Sequence, residues 1–162
     1  MATGRTQSLN KIALRPASAH DADIIFGWRN DPFILVRGSS QRPVNWNEHV
    51  GWFMASLADR EHRLLLVIEY FGVPVGLIRF DKTGAETATI SVYLTERYTS
   101  RGFGVMAISK GCAAARDILG VTHVLACIRD DNSAAITAFT RAGFAQATGS
   151  CPSGHKAFRC EF

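Results

Sequence analysis

A short glycine turn at residues 101–106 (RGFGVM) is the part of the sequence that most clearly could bind a ligand. Glycine tolerates backbone angles that leave several N–H groups pointing in one direction. A helix that begins at such a turn adds its own unpaired N–H donors and a partial positive charge. Arg101 adds a full charge beside them. Together these groups predict a site for an anion, and a pyrophosphate is the natural ligand.

The same turn has a plainer interpretation, in which the glycines only let the chain change direction. It is not a P-loop, because no Lys-Ser or Lys-Thr follows the second glycine. It is not a Rossmann fingerprint either, since that motif needs a third glycine within a βαβ unit. The function of the turn therefore has to be judged from the elements around it.

A strand precedes the turn and a helix follows it. Residues 86–94 alternate with the period of a half-buried strand. The apolar face comprises Ala88, Ile90, Val92 and Leu94, and the polar face comprises Thr87, Thr89, Ser91 and Tyr93. Residues 105–119 carry small and apolar side chains at helical spacing. The glycines therefore lie where a strand hands over to a helix. Ser91, on the polar face of the strand, could orient a water molecule.

The first half of the chain predicts one strand, two helices and a hairpin. Residues 11–15 alternate as a strand, and a helix capped by Ser18 or His20-Asp21 runs to residue 30, where Asp31-Pro32 ends it. Residues 33–43 are expected to be irregular. A second helix is capped by Asn45 or Asn47, and its apolar stripe comprises His49, Val50, Phe53, Met54 and Leu57. Residues 63–71 and 73–80 then form a hairpin that leads into the 86–94 strand.

The second half predicts a strand, a helix and a closing hairpin. Residues 122–128 form a nearly continuous apolar run, as in a buried central strand. Asp131 or Asn132 caps a last helix over residues 133–142, and Gly143 ends it. Strands from Phe144 and from Ala157 make the hairpin. No repeat or linker is visible, so one mixed α/β domain is expected over residues 1–162, with residues 1–10 flexible.

Composition narrows the class of ligand. Hydrophobic content is 47%, charged content is 20% and the net charge is +4, which describe an ordinary globular domain with a basic balance. Because no dense basic run appears, an acidic small molecule is a better partner than a nucleic acid. No apolar stretch spans a bilayer and no signal-peptide core is present, so we expect a cytoplasmic protein that is not membrane-bound.

The four cysteines show no CxxC spacing and no metal-ligand pattern, and no metal site is expected. Cys112 and Cys127 are predicted to be small buried apolar side chains. Cys151 and Cys160 could face each other across the closing hairpin, although a reduced pair is expected in the cytosol.

This order of elements resembles the Gcn5-related N-acetyltransferase (GNAT) family over nearly the whole chain. The family signature Arg/Gln-x-x-Gly-x-Gly/Ala is matched across Arg101, Gly102, Phe103, Gly104 and Val105. A helix led by asparagine and ending in Gly-Phe is matched by Asn132, Phe139, Arg141, Gly143 and Phe144. The resemblance implies an α/β (α+β) fold, with a mixed sheet of six to seven strands flanked by about four helices.

The resemblance also implies an acetyl-coenzyme A site. Backbone amides of the turn would hold the pyrophosphate, and the strand edge at Val92, Tyr93 and Leu94 would pair with the pantetheine arm. Asn132 would contact that arm, and Arg141 would approach the phosphates. The chain departs from the family at two of its cofactor-binding positions. Met106 replaces a small residue, so its side chain must point away from the phosphates.

Phe139 occupies the place where many family members carry a tyrosine that protonates the departing thiolate. Phenylalanine cannot donate a proton, but a thiol with a pKa of about 8.5 gives a tolerable leaving group. The attacking amine still needs a base, and His49 is the leading candidate because its imidazole titrates in the right range. The alternatives are that His49 only bonds to a nearby loop, or that Glu69 or Glu86 is the base.

The acceptor is predicted from the N-terminal third. Trp28, Arg29 and Asn30, followed by His49, resemble the branch that acetylates amino groups on nucleotide-linked sugars in pseudaminic acid biosynthesis. Aromatic and guanidinium planes can stack on a sugar or base and hold a phosphate, although each tryptophan could instead serve core packing. The alternatives are a ribosomal-protein-type N-terminal acetyltransferase and a non-catalytic coenzyme A sensor. A homodimer is a further option.

Overall fold

Seven strands form one sheet in the order β1-β2-β3-β4-β5-β7-β6. The computed structural model describes residues 11–162, and the expected flexibility of residues 1–10 lies outside that range. The strands are β1 (Ile12–Pro16), β2 (Arg63–Tyr70), β3 (Val73–Lys82), β4 (Thr87–Leu94), β5 (His123–Arg129), β6 (Ala145–Ala147) and β7 (His155–Glu161). Neighbouring strands are antiparallel except β4 and β5, which are parallel. The predicted mixed sheet of six to seven strands is confirmed.

Four longer helices and one short helix flank this sheet within residues 11–162. They are α1 (Ala22–Arg29), α2 (Pro32–Leu35), α3 (Trp46–Ala58), α4 (Phe103–Leu119) and α5 (Ser133–Arg141). Single 3-10 turns precede α1 and follow β4. The prediction of irregular structure from residue 33 was wrong for α2, because the Asp31 carboxylate accepts a hydrogen bond from Phe33 N at 2.9 Å and starts a new turn of helix.

Both faces of the sheet are covered, which explains why β2 is apolar along its length. Leu64, Leu66 and Ile68 face the core under α4 and α5, whereas Leu65 and Val67 face the core under α1, α2 and α3. We call the second side the acceptor face, because the sequence predicts that Trp28 and Arg29 of α1 bind the acceptor. The predicted stripe of α3 is partly wrong, because Met54 is 45% exposed on the outer side of that helix.

β4 and β5 separate along their length. Their parallel pairing covers only Thr87 to Thr89 against His123 to Leu125, although β4 continues to Leu94 and β5 to Arg129. Beyond Thr89, β4 pairs with β3 on one side, and no described strand pairs with its other edge. The two strands therefore form a wedge that is closed at Thr89 and open at Leu94.

The cysteine predictions are corrected by the parity of β5 and β7. Cys127 is exposed, not buried, and forms a disulfide with Cys151, whose Cα lies 5.6 Å from its own. Cys160 pairs in register with Val124, on the opposite face of the hairpin from Cys127, so it is free. Cys112 is free and buried as predicted, and burial raises the pKa of its thiol to about 12.

Candidate functional site

A cleft of about 850 Å³ fills the wedge between β4 and β5. The β4 side is formed by Ser91, Val92, Tyr93 and Leu94, the far wall by the end of β5, and the opening by the glycine turn and α5. The edge of β4 facing the cleft has no strand partner beyond Thr89 within residues 11–162. Free backbone N–H and C=O groups along an edge can pair with an extended chain that carries amides.

The glycine turn lies at the open end of this cleft. Gly102 is the N-cap of α4, and its φ of +83° is a left-handed conformation that favours glycine. Gly102, Gly104 and Val105 all line the cleft. No side chain bonds to the first amides of α4 in the cap, so these amides are available to an anion. A Cβ added to Gly104 would lie 3.8 Å from Ala138 Cβ, in the cleft wall.

The other predicted residues of the turn lie outside the lining of the cleft. Phe103 is buried, with its ring centroid 4.8 Å from that of Tyr70, and its side chain anchors the start of α4. Met106 packs against the main core, which satisfies the condition that its side chain point away from the phosphates. Arg101 is exposed, with its guanidinium carbon 5.7 Å from the ring centroid of Tyr98.

The predicted residues of α5 all line the cleft. Asn132 caps the helix by accepting a hydrogen bond from Ala135 N at 3.2 Å. Phe139 is buried and meets Phe144 edge-to-face at 5.0 Å. Arg141 is exposed at the cleft rim. Nine cleft positions that the sequence predicted therefore come together with Ser91: Val92, Tyr93, Leu94, Gly102, Gly104, Val105, Asn132, Phe139 and Arg141.

His49 is placed away from the cleft. Its side chain is fully buried in α3, where Nε2 lies 2.8 Å from the carbonyl oxygen of Ala22 and Nδ1 lies 3.1 Å from the Arg29 guanidinium. Since a guanidinium only donates, Nδ1 accepts and Nε2–H donates to the carbonyl. Burial lowers the pKa of His49, and the charge of Arg29 lowers it further. With both ring nitrogens bonded inside the protein, the geometry is against His49 as the general base.

The two carboxylates named as alternatives also lie elsewhere. Glu69 accepts a hydrogen bond from Arg15 Nε at 2.6 Å on the β1 side of the sheet. Glu86 is exposed before β4, where its backbone carbonyl accepts from His123 N. Neither residue lines the cleft.

Of the predicted acceptor residues, Trp28 and Asn30 are held inside the protein, and Arg29 is half-buried. Trp28 is buried in the core of the acceptor face, and Asn30 makes two hydrogen bonds with the backbone of Val44, at 2.8 and 2.9 Å. The guanidinium carbon of Arg29 lies 4.4 Å from the ring centroid of Trp52. None of these three residues lines the cleft: Trp28 and Asn30 are held by internal contacts, and Arg29 stacks on Trp52.

Arg79 and Tyr93 extend this polar region toward the cleft. Arg79 is the register partner of Ser91, and its guanidinium carbon lies 5.4 Å from the Trp52 ring. Its Nε is 2.8 Å from Asp81 Oδ2, at an angle too poor for a hydrogen bond, so the contact is an ion pair. The Tyr93 hydroxyl is buried and has no hydrogen-bond partner within the described residues. Burial raises the pKa of Tyr93, so the hydroxyl keeps its proton.

Several cleft residues were missed by the sequence reasoning. Phe33 and Arg37 line the rim, with the guanidinium carbon of Arg37 3.6 Å from the ring centroid of Phe33. Their signal was the Asp-Pro pair, which can start a helix as well as end one. Among the described residues, Glu96, which follows β4, is the one acidic side chain that lines the cleft.

His155 is the missed residue with the most useful chemistry. It lines the cleft from the start of β7, opposite Arg129 on β5. Its Nδ1 lies 3.0 Å from the carbonyl oxygen of Ser153, so Nδ1 carries the proton and Nε2 has a free lone pair. Within residues 11–162, Nε2 is buried and has no hydrogen-bond partner. Nothing in the local sequence around His155 points to the cleft, because the β5–β7 pairing brings it there.

Comparison with known proteins decides the family. Residues 11–145 match the family described as acetyltransferase (GNAT) domain. The chain belongs to the GNAT acetyltransferase family. It is an acetyl-coenzyme A-dependent N-acetyltransferase with the GNAT fold. The cleft fits that cofactor, because it offers an amide-rich helix start for the pyrophosphate and an unpaired strand edge for the amide-bearing arm.

Solved structures agree on the fold of this GNAT protein. A domain from Methanocaldococcus jannaschii DSM 2661 is 22% identical, with a TM-score of 0.81 over 94% of this chain and 99% of that chain. The aminoglycoside acetyltransferase AAC(6')-Ib in complex with coenzyme A is 16% identical, with a TM-score of 0.80 over 93% and 94%. No curated protein sequence matches the chain significantly.

A third structure is the ribosomal L7/L12 α-N-protein acetyltransferase RimL in complex with coenzyme A, which is joined to a cysteine of that protein by a disulfide. It is 13% identical, with a TM-score of 0.80 over 93% of this chain and 94% of that chain. Within residues 11–162, no helix has the length and apolar character to cross a membrane, and no group of three or more acidic, histidine or cysteine side chains could hold a metal ion.

Proposed function

We propose that this N-acetyltransferase acts on a primary amine of a nucleotide-linked sugar. The observation that carries the proposal is the chemistry of the acceptor face around β3 and β4. Arg29 and Arg79 lie over the same Trp52 ring, and the buried Tyr93 hydroxyl is a proton donor without a partner in the described chain. A set dominated by donors and an aromatic plane suits an acceptor that carries phosphate and a ring.

Arg29 is the positive charge of this group that lacks a negatively charged partner among the described residues. Its partners within residues 11–162 are the neutral ring of His49 and the face of Trp52, and neither carries a negative charge. Burial lowers the pKa of Arg29, and the like charge of Arg79 lowers it further. Because Arg79 is paired with Asp81, Arg29 is the one of the two without a carboxylate partner among the described residues; a phosphate would compensate its charge, whereas a polycationic acceptor would be repelled by it. We therefore favour an anionic acceptor over a polyamine.

Acetyl-coenzyme A supplies the activated acetyl group in this reaction. The chain has to remove a proton from the acceptor amine, and we assign that role to His155, a residue of the cleft lining whose buried Nε2 has no hydrogen-bond partner within residues 11–162. Ser91 lies on the acceptor face of β4 and can orient a water between the amine and the base. Phe139 offers no proton to the thiolate, so the thiolate leaves as such or takes a proton from water.

The test is a panel of amines assayed for thiol release from acetyl-coenzyme A. We expect turnover on a 4-amino-sugar nucleotide to exceed turnover on spermidine and on peptides with a free N-terminus. Preference for peptides would favour the protein N-terminal alternative, and cofactor binding without turnover on any amine would favour the sensor. Arg29→Ala should raise KM for the sugar nucleotide by about 10- to 100-fold, as loss of a charged hydrogen bond would. Arg60→Ala, at an exposed arginine outside the cleft, is the matched control.

A further inference from the structure

Cys127 is a cleft residue that the acetyl transfer does not use. It follows Leu125, the last β5 residue paired with β4, by two positions and lines the cleft. Extending the Thr89–Leu125 register by two residues places Cys127 across from Ser91, on the acceptor face of the sheet. At about 3.3 Å per residue, Cys127 lies roughly 7 Å from the closed end of the wedge.

The orientation of the cleft brings the reactive end of coenzyme A to this place. The glycine turn follows the C-terminal end of β4, so its anion-binding amides are at the open end. An arm that leads from a pyrophosphate held there along the free edge of β4 runs toward the closed end. The sulfur is at the end of that arm. Cys127 therefore lies on β5 near the end of the cleft toward which the sulfur points.

We propose that Cys127 is a site of reversible covalent attachment of coenzyme A by thiol–disulfide exchange. The coenzyme A thiolate attacks Sγ of Cys127, a new S–S bond forms, and the Cys127–Cys151 bond breaks. Cys151 leaves as a thiolate and takes up the proton that the coenzyme A thiol gave up. The exchange needs no external oxidant, because the protein disulfide supplies the oxidising equivalents. It depends on the coenzyme A site, and it is independent of which amine is the acceptor.

Placement selects Cys127 over the other three cysteines. Cys151 is in the connection between β6 and β7 and does not line the cleft, so it is the leaving group. Cys112 is buried on the core side of α4, and Cys160 faces the opposite side of the hairpin. The consequence for the enzyme is that its own thiol product occupies the cleft until a reductant releases it, so turnover becomes sensitive to the redox state.

The experiment is mass spectrometry of the oxidised full chain after incubation with coenzyme A and no reductant. We expect one coenzyme A per chain, located on the Cys127 peptide, with Cys151 newly open to alkylation. Glutathione at equal concentration should react at least about tenfold more slowly, because binding raises the local concentration of the coenzyme A thiol. Acetyl-coenzyme A, which has no free thiol, should give no adduct and should suppress adduct formation in excess.

A second variant keeps the test decisive if the wild type shows no adduct. Cys151→Ser leaves Cys127 as a free thiol and should take up coenzyme A from coenzyme A disulfide, whereas Cys127→Ser should not label at Cys151. An adduct located on Cys151, equal rates with glutathione, or no labelling of Cys151→Ser would each overturn the proposal. Calorimetry of coenzyme A binding on the same samples separates these outcomes from a failure of the cofactor site itself.

Discussion

Replacing Gly76 by alanine is expected to damage both folding and cofactor binding. Gly76 lies on β3 opposite Leu94, at the open end of the wedge. A Cβ built at Gly76 would lie 2.2 Å from the carbonyl oxygen of Tyr93 and 3.1 Å from Leu94 Cα. These are backbone atoms of the β4 segment that borders the cleft, so no rotamer change can remove the contact. β4 would have to shift away from β3 and into the cleft.

The size of the effect follows from that geometry. Overpacking a close-packed site costs about 1–3 kcal/mol, and a collision with backbone belongs at the upper end, so we expect Gly76→Ala to lower the free energy of unfolding by about 3 kcal/mol. The same shift displaces the free edge that we assign to the pantetheine arm. We expect the dissociation constant of acetyl-coenzyme A to rise by about tenfold, equivalent to about 1.4 kcal/mol.

Urea denaturation measures the first effect and calorimetric titration of acetyl-coenzyme A measures the second. The control is Gly51→Ala in the middle of α3, where an added Cβ meets nothing within 4 Å. That variant should be more stable by about 0.5–1 kcal/mol, because alanine has the higher helix propensity. If Gly76→Ala matches the wild type in both assays, the spacing of β3 and β4 adapts freely and the reasoning from close approach is refuted.

Three further outcomes follow from the same geometry. His155→Ala should lower kcat by about 10²- to 10⁴-fold, while thermal unfolding and acetyl-coenzyme A binding stay as in the wild type. Phe139→Tyr should keep or increase turnover, because a tyrosine hydroxyl can protonate the thiolate. Phe139→Leu should leave the single-turnover rate nearly unchanged, because phenylalanine donates no proton. The hydrogen bond from Arg15 lowers the pKa of Asp21. Its contribution to stability is therefore full above the unfolded pKa of about 3.9 and is lost as pH falls through the lower folded value, so Asp21→Asn should flatten acid denaturation curves in that range.

The parts of the fold that were predictable are those fixed by local spacing. The alternation of residues 86–94 assigned the faces of β4 correctly, since Ala88 and Ile90 are buried in the main core and Tyr93 faces the other side. The cap chemistry also held, because Asn45 accepts from Glu48 N and Asn132 accepts from Ala135 N. Each of these signals depends on residues within one element.

The parts that were not predictable depend on contacts between distant elements. Imidazole chemistry alone could not separate His49, whose two nitrogens are both bonded, from His155, whose Nε2 is free. The disulfide is similar. The sequence suggested that Cys151 and Cys160 face each other, whereas strand parity places Cys160 on the opposite face of the hairpin from Cys127, the actual partner of Cys151. Cys127 and Cys151 are 24 residues apart, and Cys151 lies in the connection between β6 and β7, so their proximity depends on how that connection packs beside β5.

β4 shows why the register of this sheet matters for activity. Val92 and Leu94 pack toward α4, Ser91 and Tyr93 face the acceptor side, and the free edge faces the cofactor cleft. One strand thus faces the main core, the acceptor face and the cleft in three different directions. A slip of one residue would exchange the two faces and place the Tyr93 hydroxyl in the main core. The close approach of Gly76 to Tyr93 and Leu94 admits no side chain, and a slipped register would bring a bulkier neighbour to that contact. The same glycine that lets β4 lie close to β3 therefore helps to keep the acceptor and cofactor groups on their proper sides.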